Sequence, residues 1–253
     1  MKIDNSFYNL NECDICFAGI PYIASKTPIP LSVKAPDILR YGLNHKDDYD
    51  EITGKCVFDS FKICDYGSIK TSEVKKILCR DKKFFFIGGE HSITLPIIKA
   101  FYDFNPDFYL IVFDAHLDLR KDYEPNACFL RKILDFFPAE RILLVGQRVF
   151  SQEEYDFMKE NNLKRVSDVN IKGKKVYVSF DIDCLDSVFV PSASTPEPMG
   201  LSIEQAETLL KKIVKNNTLL GADFVEFASD KYDITYSNIS YLLMSVLKTL
   251  LKH

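Results

Sequence analysis

The sequence lacks the features of a membrane or a nucleic-acid-binding protein. Its longest wholly apolar run has about six residues, at 108–113, whereas a helix that spans a membrane needs ~20. The N-terminus is polar and has no apolar stretch of a signal peptide, so we expect a cytoplasmic location and no membrane partner. Positive charge is not in excess either, since 32 basic and 36 acidic residues give a net charge of −4. This balance disfavours general nucleic-acid binding, which relies on a dense positive surface.

The cysteines lack the pattern of a disulfide framework. There are seven, an odd number at scattered spacings, and free thiols in a reducing compartment are the simplest interpretation. Cys13 and Cys16 form a Cys-x-x-Cys pair, which is typical of half a zinc site or of a redox pair. No second pair exists in the sequence, and the four histidines do not follow it at zinc-finger spacing. We therefore favour a structural role for both thiols.

Short apolar runs alternate with amphipathic stretches along the chain. The runs are almost continuously apolar, which is typical of parallel strands buried on both faces. The predicted strands are Ile15–Ile20, Phe84–Ile87, Phe108–Phe113, Ile142–Val145, Val176–Phe180 and Phe224–Phe227. The predicted helices cover roughly 92–102, 127–137, 151–161, 203–216 and 236–251, and Ser202 with Gln205 forms a capping box before one of them. No linker rich in glycine, serine or proline divides the chain, so the alternation predicts βαβ units in one α/β domain over residues 1–253.

Residues that carry chemistry are concentrated directly after the predicted strands. Ligands of open α/β sheets bind beyond the carboxyl ends of the strands, so these positions are the ones to inspect. They hold Gly88–His91, Asp114–Asp118, Asp181–Asp183 and Glu226. Two of only four histidines and six carboxylates fall there, which indicates a binding site at this edge of the sheet.

The spacing of these carboxylates and imidazoles favours a metal centre. Asp114, His116 and Asp118 alternate along the chain, so an extended strand would direct all three side chains to one face. Asp181 and Asp183 would share a face of a neighbouring strand for the same reason. Carboxylates held this close repel one another unless a cation lies between them. Each segment alone is also compatible with polar residues that end a strand, but together they favour two hard cations, Mn²⁺ or Mg²⁺, that share bridging aspartates and activate a water.

Five segments resemble the ureohydrolase family, which contains arginase, agmatinase and related guanidine hydrolases. In chain order they are GGEHSIT (Gly88–Thr94), FDAHLDLR (Phe113–Arg120), SFDIDCLD (Ser179–Asp186), STPEPMGLS (Ser194–Ser202) and DFVEF (Asp223–Phe227). The resemblance is strongest to the agmatinase branch. It implies a three-layer α/β/α sandwich with a largely parallel central sheet, as in arginases and deacetylases, and a homo-oligomer that is either a trimer or a hexamer.

The resemblance also implies a role for each residue of the centre. One manganese would be held by His91, Asp114, Asp118 and Asp181, and the other by His116, Asp114, Asp181 and Asp183. In the family, the two ions activate a bridging water that attacks the guanidinium carbon. The counterpart of Asp118 hydrogen-bonds this nucleophile and passes its proton to the leaving amine, and Glu226 matches the carboxylate that pairs with the guanidinium. The products would be urea and a free amine.

The segment after Arg120 departs from the family pattern. The family has a longer loop there, with a histidine that assists proton transfer and positions the substrate. Alignment on the following helix puts Asn126 at that position, so Asn126 is a further substrate-binding candidate. The shortened loop also removes the region from which arginases recognise the α-carboxylate of their substrate. A small cationic guanidine without that carboxylate, agmatine, is therefore the favoured substrate.

Other functions stay open at this point. Arginase, guanidinobutyrase or formimidoylglutamase activity would use the same metal ligands with a different substrate rim. The replaced histidine also fits a weakly active or non-catalytic subunit, in which Glu226 would have no role. A deacetylase of related architecture typically uses one zinc ion with His and Tyr groups, whereas six candidate ligands favour the branch with two metals.

Overall fold

A parallel β-sheet forms the centre of the protein. The structure is a computed structural model that describes residues 1–26, 31–79, 81–121 and 124–252. Within these ranges the strands are β1 (Ile15–Ile20), β2 (Tyr49–Asp50), β3 (Lys55–Cys56), β4 (Ile63–Ser68), β5 (Lys83–Gly88), β6 (Tyr109–Phe113), β7 (Ile142–Val145), β8 (Lys164–Arg165), β9 (Lys175–Asp181) and β10 (Thr218–Val225). Eight of them form one sheet in the order β4-β1-β5-β10-β9-β6-β7-β8, and every neighbouring pair is parallel. The other two, β2 and β3, form a short antiparallel hairpin.

Helices connect most of the strands. They are α1 (Ala35–Asn44), α2 (Val57–Ser60), α3 (Val74–Ile77), α4 (Thr94–Phe104), α5 (Phe129–Ile133), α6 (Gln152–Glu160), α7 (Ile203–Asn216) and α8 (Ile234–Leu250). The predicted capping box precedes α7: Ser202 Oγ accepts the N–H of Gln205 (3.1 Å), and the Gln205 side chain accepts the N–H of Ser202 (2.8 Å). In the part of the chain that the structure describes, no helix has both the length and the apolar character needed to cross a membrane.

The helices cover both faces of the sheet. Successive residues of a strand point to opposite faces, so in β5 Phe85 and Ile87 belong to one apolar cluster, and Phe84 and Phe86 to another. Residues of α1, α7 and α8 pack in the first cluster, and residues of α3, α4, α5 and α6 in the second. The central strands are therefore buried on both sides. This arrangement confirms the predicted three-layer α/β/α sandwich and explains the continuous apolar runs.

Seven of these elements are not predicted by the sequence patterns: α1, α2, α3, β2, β3, β4 and β8. Two of them are α1 and the edge strand β4, which pairs with β1. A buried ion pair joins them, because the Arg40 guanidinium donates to both carboxylate oxygens of Asp65 at 2.7 and 2.9 Å. Buried charged residues interrupt the apolar periodicity on which such predictions depend, and this is why both elements lack a clear signal.

The strand β10 begins earlier than predicted. The sequence predicts a strand over Phe224–Phe227, whereas β10 covers Thr218–Val225. The part of β10 that was not predicted, residues 218–223, contains Gly221 and the buried Asp223, which are not typical of an apolar run. A Cβ at Gly221 would lie 2.3 Å from the carbonyl oxygen of Phe84 on β5, so the two strands approach too closely for any other residue.

The Cys-x-x-Cys pair lies in the core. Cys13 and Cys16 are buried in the same apolar cluster as Cys64, and all seven cysteines are free thiols. Burial raises the pKa of Cys13 to about 11, which keeps the thiol protonated at neutral pH. The positions of these thiols agree with the structural role favoured from the sequence.

Candidate metal centre

Four adjacent strands, β5, β10, β9 and β6, bring the candidate site residues to one edge of the sheet. His91 follows β5 in a short 3₁₀ turn, and Glu226 directly follows β10. Asp181 is the last residue of β9, and Asp114 directly follows β6. Because all four strands are parallel, their carboxyl ends lie side by side, as expected for a ligand site of an open α/β sheet.

Three aspartates surround one ring nitrogen of His91. Its Nδ1 lies 3.1 Å from Oδ2 of Asp114, 3.3 Å from Oδ2 of Asp118 and 3.2 Å from Oδ2 of Asp181. All four residues are buried. Ligand atoms of His91, Asp114 and Asp118 lie within 4.8 Å of one another, as the donors of a single metal ion do.

A second cluster forms around His116 and shares Asp114 with the first. Nδ1 of His116 lies 3.0 Å from Oδ2 of Asp183 and 3.5 Å from Oδ1 of Asp114. Asp114 therefore directs one carboxylate oxygen at each histidine. Asp181 belongs to the first cluster, and its Oδ1 accepts the backbone N–H of Asp183 at 2.9 Å. The six candidate ligands thus lie in two adjoining clusters.

The chain reaches this arrangement through turns rather than through the extended segments expected from the sequence. Directly after β6, the N–H of His116 donates to Oδ1 of Asp114 at 2.6 Å and closes a turn. Asp118 then adopts a left-handed backbone with φ +51°. Asp183 lies in a 3₁₀ turn after β9 and not on the strand. The extended interpretation of both segments was wrong, because carboxylates at these strand ends bond to the N–H two residues onward.

The cluster carries more negative charge than its histidines balance. Burial, and then the charge of Asp114, raises the pKa of Asp118 to about 8. Burial and the neighbouring aspartates raise the pKa of Asp181 well above its ordinary value. Burial opposes protonation of the histidines, yet the aspartates around them raise the pKa of His91 well above its usual range and that of His116 to about 12. Among the described residues, no lysine or arginine side chain pairs with these aspartates.

A divalent cation fits this donor set. Nδ1 of His91 and Oδ2 of Asp114 are buried and lie 3.1 Å apart, but neither makes a hydrogen bond of normal geometry with the described residues. Unpaired buried polar atoms are costly, and both atoms are of the kind that binds first-row cations. The donor set of carboxylates and imidazoles contains no thiolate, so it suits a hard cation better than a structural zinc ion.

Glu226 lies beside the first cluster in a strained and tightly held position. Its φ is +71°, a conformation that costs about 1–3 kcal/mol outside glycine. Its N–H donates to the carbonyl of Gly89 (2.9 Å), and its carbonyl accepts the N–H of Ser194 (2.8 Å). Its carboxylate accepts the N–H of His91 (2.6 Å) and the hydroxyl of Ser194. Burial raises the pKa of Glu226 to about 7 despite these hydrogen bonds. The carboxylate is therefore fixed next to a candidate ligand and keeps lone pairs for another donor.

A buried polar network behind His91 was missed by the sequence patterns. Nε2 of His91 lies 3.0 Å from Oγ of Ser179, and this hydroxyl donates to Oδ1 of Asp223 at 2.7 Å. Tyr177 and Thr94 donate to the same carboxylate. All five residues are fully buried. Ser179 and Asp223 lie within two of the quoted segments, but no spacing rule marks residues that support a ligand from behind.

Asn126 lies in a contact between two loops. Its Oδ1 accepts the hydroxyl of Ser25 (3.0 Å), and the N–H of Ser25 donates to the buried carboxylate of Glu90 (2.9 Å). In the described part of the chain, Asn126 hydrogen-bonds neither a candidate metal ligand nor Glu226. Residues 122–123 of the shortened loop lie outside the described residues.

Comparison with known proteins identifies the family. The model of the arginase family matches residues 13–251. The chain belongs to the arginase family. Hydrolases of this family cleave guanidino C–N bonds, and the membership places the chain among them. It also confirms the ureohydrolase resemblance that the five sequence segments carry.

Agmatinases are among the relatives of this arginase-family chain. The agmatinase of Pyrococcus horikoshii is 34% identical over 251 residues, which cover 88% of this chain and 87% of the relative. The N(1)-aminopropylagmatine ureohydrolase of Thermococcus kodakarensis is 36% identical over 160 residues, 57% of this chain and 54% of the relative. The crystal structure of agmatine ureohydrolase from Thermoplasma volcanium matches with a TM-score of 0.85 at 27% identity and covers 99% of this chain and 94% of that one. The chain spans 59–60% of the length of the Bacillus and Halalkalibacterium agmatinases that it also matches.

Arginase-family enzymes generally hold two metal ions, and the geometry is consistent with such a centre. Two groups of residues that could each hold a metal ion share Asp114. The likeness to agmatinases agrees with the branch predicted from the motifs.

Proposed function

We propose that this arginase-family chain hydrolyses agmatine to putrescine and urea at a centre of two Mn²⁺ ions. The observation that carries the proposal is the pair of ligand clusters that share Asp114, with the buried carboxylate of Glu226 hydrogen-bonded to the backbone of His91 beside them. A guanidinium is a planar cation that pairs with a carboxylate through parallel N–H donors. The site therefore offers positions for two cations and, next to them, an anionic group that suits a guanidinium.

The proposed ligands divide between the two ions as the family resemblance implies. The first ion would be held by His91, Asp114, Asp118 and Asp181, and the second by His116, Asp114, Asp181 and Asp183. Asp114 and Asp181 would bridge them. When bound, such a pair supplies a water with a pKa near neutrality, which is the nucleophile that C–N hydrolysis needs.

Asp118 and Glu226 have the two other roles in this proposal, which are proton transfer and binding of the guanidinium. The side chain of Asp118 is 13% exposed, more than any other side chain of the first cluster. A carboxylate there accepts the proton of the attacking water and returns it to the leaving amine. Glu226 holds the guanidinium against the cluster. Both residues have left-handed backbones, and strain of this kind is concentrated at functional sites.

The substrate rim favours agmatine over arginine. The loop after Arg120 is too short to supply the contacts with which arginases recognise an α-carboxylate, and agmatine has no such group. The likeness to the Pyrococcus horikoshii agmatinase supports the same choice. N(1)-aminopropylagmatine is a second candidate, because it carries the same guanidine on a longer polyamine and a ureohydrolase named for it is 36% identical over 160 residues.

Three further proposals concern the protein as a whole. We propose that residues 1–253 form one domain and that the chain assembles as a trimer or a hexamer. We also propose a cytoplasmic role in polyamine biosynthesis, since putrescine is the product. Light scattering of the purified chain measures the assembly directly.

Urea release by the purified, Mn²⁺-loaded protein tests the proposed activity. Parallel assays contain agmatine, N(1)-aminopropylagmatine, arginine or guanidinobutyrate. The Asp118→Asn variant removes the proposed proton carrier, and Asp59→Asn makes the same change at an exposed surface position. Urea from agmatine that is lost only in Asp118→Asn supports the proposal. Urea from another guanidine alone contradicts the substrate, and no urea from a protein with two bound metals contradicts the hydrolase.

A further inference from the structure

His116 is the most exposed of the six candidate ligands and has a carboxylate beside each ring nitrogen. Its side chain is 25% exposed, whereas that of His91 is 1% exposed. Nδ1 faces Asp183 at 3.0 Å. Nε2, on the other side of the ring, lies 3.6 Å from Oε1 of Glu197. This separation is an ion-pair distance, about 0.7 Å longer than an ordinary N–H···O hydrogen bond.

We propose that Glu197 is a positioning residue that holds the proton of His116 on Nε2. A neutral imidazole carries one proton, so a proton kept on Nε2 leaves the lone pair of Nδ1 free to bind a cation beside Asp183 and Asp114. A carboxylate behind a ligand histidine fixes both the tautomer and the orientation of the ring. The inference rests on the proposed metal centre and adds a residue to it that lies in the STPEPMGLS segment.

One arginine links the backbone segments that carry Glu197 and Asp183, the two acidic residues on opposite sides of the His116 ring. Nη2 of Arg148 donates to the backbone carbonyl of Glu197 (2.8 Å) and to that of Asp183 (3.0 Å). The N–H of Ser187 donates to the same carbonyl of Glu197 at 3.0 Å. The backbone that carries Glu197 is therefore tied to the turn that carries the ligand Asp183. The spacing of Glu197 and Asp183 around the imidazole is built into the fold.

Different groups contact Nε2 of His91 and Nε2 of His116. The role of Glu197 at His116 can therefore be tested without a change at His91. Nε2 of His91 contacts Ser179, whose hydroxyl donates to the buried Asp223. Among acidic side chains of the described ranges, only Glu197 lies within ion-pair distance of Nε2 of His116. Loss of Glu197 will therefore weaken the cluster of His116 and leave the cluster of His91 unchanged.

Titration with Mn²⁺, followed by the electron paramagnetic resonance signal of the free ion, tests the inference. The wild-type chain binds two equivalents. In Glu197→Ala, one equivalent binds as before and the other binds about 10- to 100-fold more weakly, the usual effect of removing a group behind a metal ligand. Glu197→Gln loses the charge but keeps an oxygen that can accept the Nε2 proton when the 3.6 Å contact shortens, so we expect it to keep more of the affinity than Glu197→Ala does. Glu160→Ala, at an exposed position of α6, is the matched control, and thermal unfolding shows that each variant is folded.

The outcomes separate this inference from the proposed function. A wild-type chain that binds no Mn²⁺ would contradict the metal centre itself. Two unchanged affinities in Glu197→Ala, with a wild type that binds two ions, would overturn the role of Glu197 and leave the metal centre intact. An equal loss in Glu197→Gln and Glu197→Ala would also overturn it, because the effect would then come from charge at a distance and not from a hydrogen bond.

Discussion

The Glu226→Gln variant tests the proposed binding of the guanidinium by Glu226 separately from the metal ligands. The two side chains have the same shape, and the structure has room for the amide. Its oxygen can accept the N–H of His91, and its NH₂ group can donate to the hydroxyl of Ser194, which rotates to accept. The substitution therefore removes a negative charge and one acceptor while the internal hydrogen bonds persist. We expect the fold and the metal affinity to stay unchanged.

The expected loss is large because Glu226 is only 3% exposed. Removing one partner of a buried, hydrogen-bonded charge pair costs about 2–5 kcal/mol. Since 1.36 kcal/mol corresponds to a tenfold change in rate, kcat/KM for agmatine should fall by about 30-fold to several thousand-fold. The amide also places N–H donors where the substrate presents its own, which favours the upper part of this range.

Urea release at several agmatine concentrations measures this effect. Glu160→Gln serves as the control, because it removes the same charge from an exposed position. A Glu226→Gln protein that binds Mn²⁺ normally and keeps kcat/KM within about threefold of wild type would refute the role of Glu226, since threefold is far below the cost of an unpaired buried cation.

Three further predictions follow from named contacts. Ser194→Ala removes a hydroxyl that donates to the carboxylate of Glu226. The value of kcat/KM should fall about tenfold, the effect of one hydrogen bond, and the Mn²⁺ affinity should stay unchanged. An unaltered kcat/KM would contradict this prediction. His91 and His116 have raised pKa values and hold protons at neutral pH, so Mn²⁺ binding should release protons and strengthen as pH rises. Calorimetry in two buffers of different ionisation enthalpy counts these protons, and equal heats would contradict the prediction. Arg40→Ala leaves the buried carboxylate of Asp65 unpaired and should lower the free energy of unfolding by about 3–5 kcal/mol, measured by urea denaturation. A loss below about 1 kcal/mol, the value of an exposed ion pair, would contradict burial of this pair.

Elements whose signal is local were predicted well. β1 and β7 have the predicted bounds because each is a continuous apolar run that ends at a polar residue, a glycine or a proline. α7 begins and ends where the capping box and the apolar stripe indicate. These signals depend on residues close together in sequence, so they need no knowledge of the tertiary structure.

Elements that depend on distant partners were not predicted. The buried pair of Arg40 and Asp65 joins α1 and β4. In the sequence alone, these two charged residues are indistinguishable from residues of the surface. The part of β10 that was not predicted contains Asp223, which is buried and accepts hydrogen bonds from hydroxyl groups of β9 and α4. No local pattern shows that such a residue is paired in the core.

The sequence predicted which candidate residues lie together at this edge of the sheet, but it did not predict the backbone conformation that brings them there. Residue type and position after a strand selected the histidines and aspartates, because the fold class fixes where strands end. The turns at Asp118 and Asp183 could not be foreseen, since an alternating spacing fits both an extended segment and a tight turn. Glu197 and Ser194 were quoted within a motif, but their contacts with His116 and Glu226 appear only in three dimensions.

The rate of urea release from agmatine, measured as Mn²⁺ is added to the metal-free protein, tests the central claim most directly. The proposed binuclear centre predicts that activity appears with added metal and saturates at two equivalents per chain. Saturation at one equivalent, or no urea from a chain that has bound two, would contradict it.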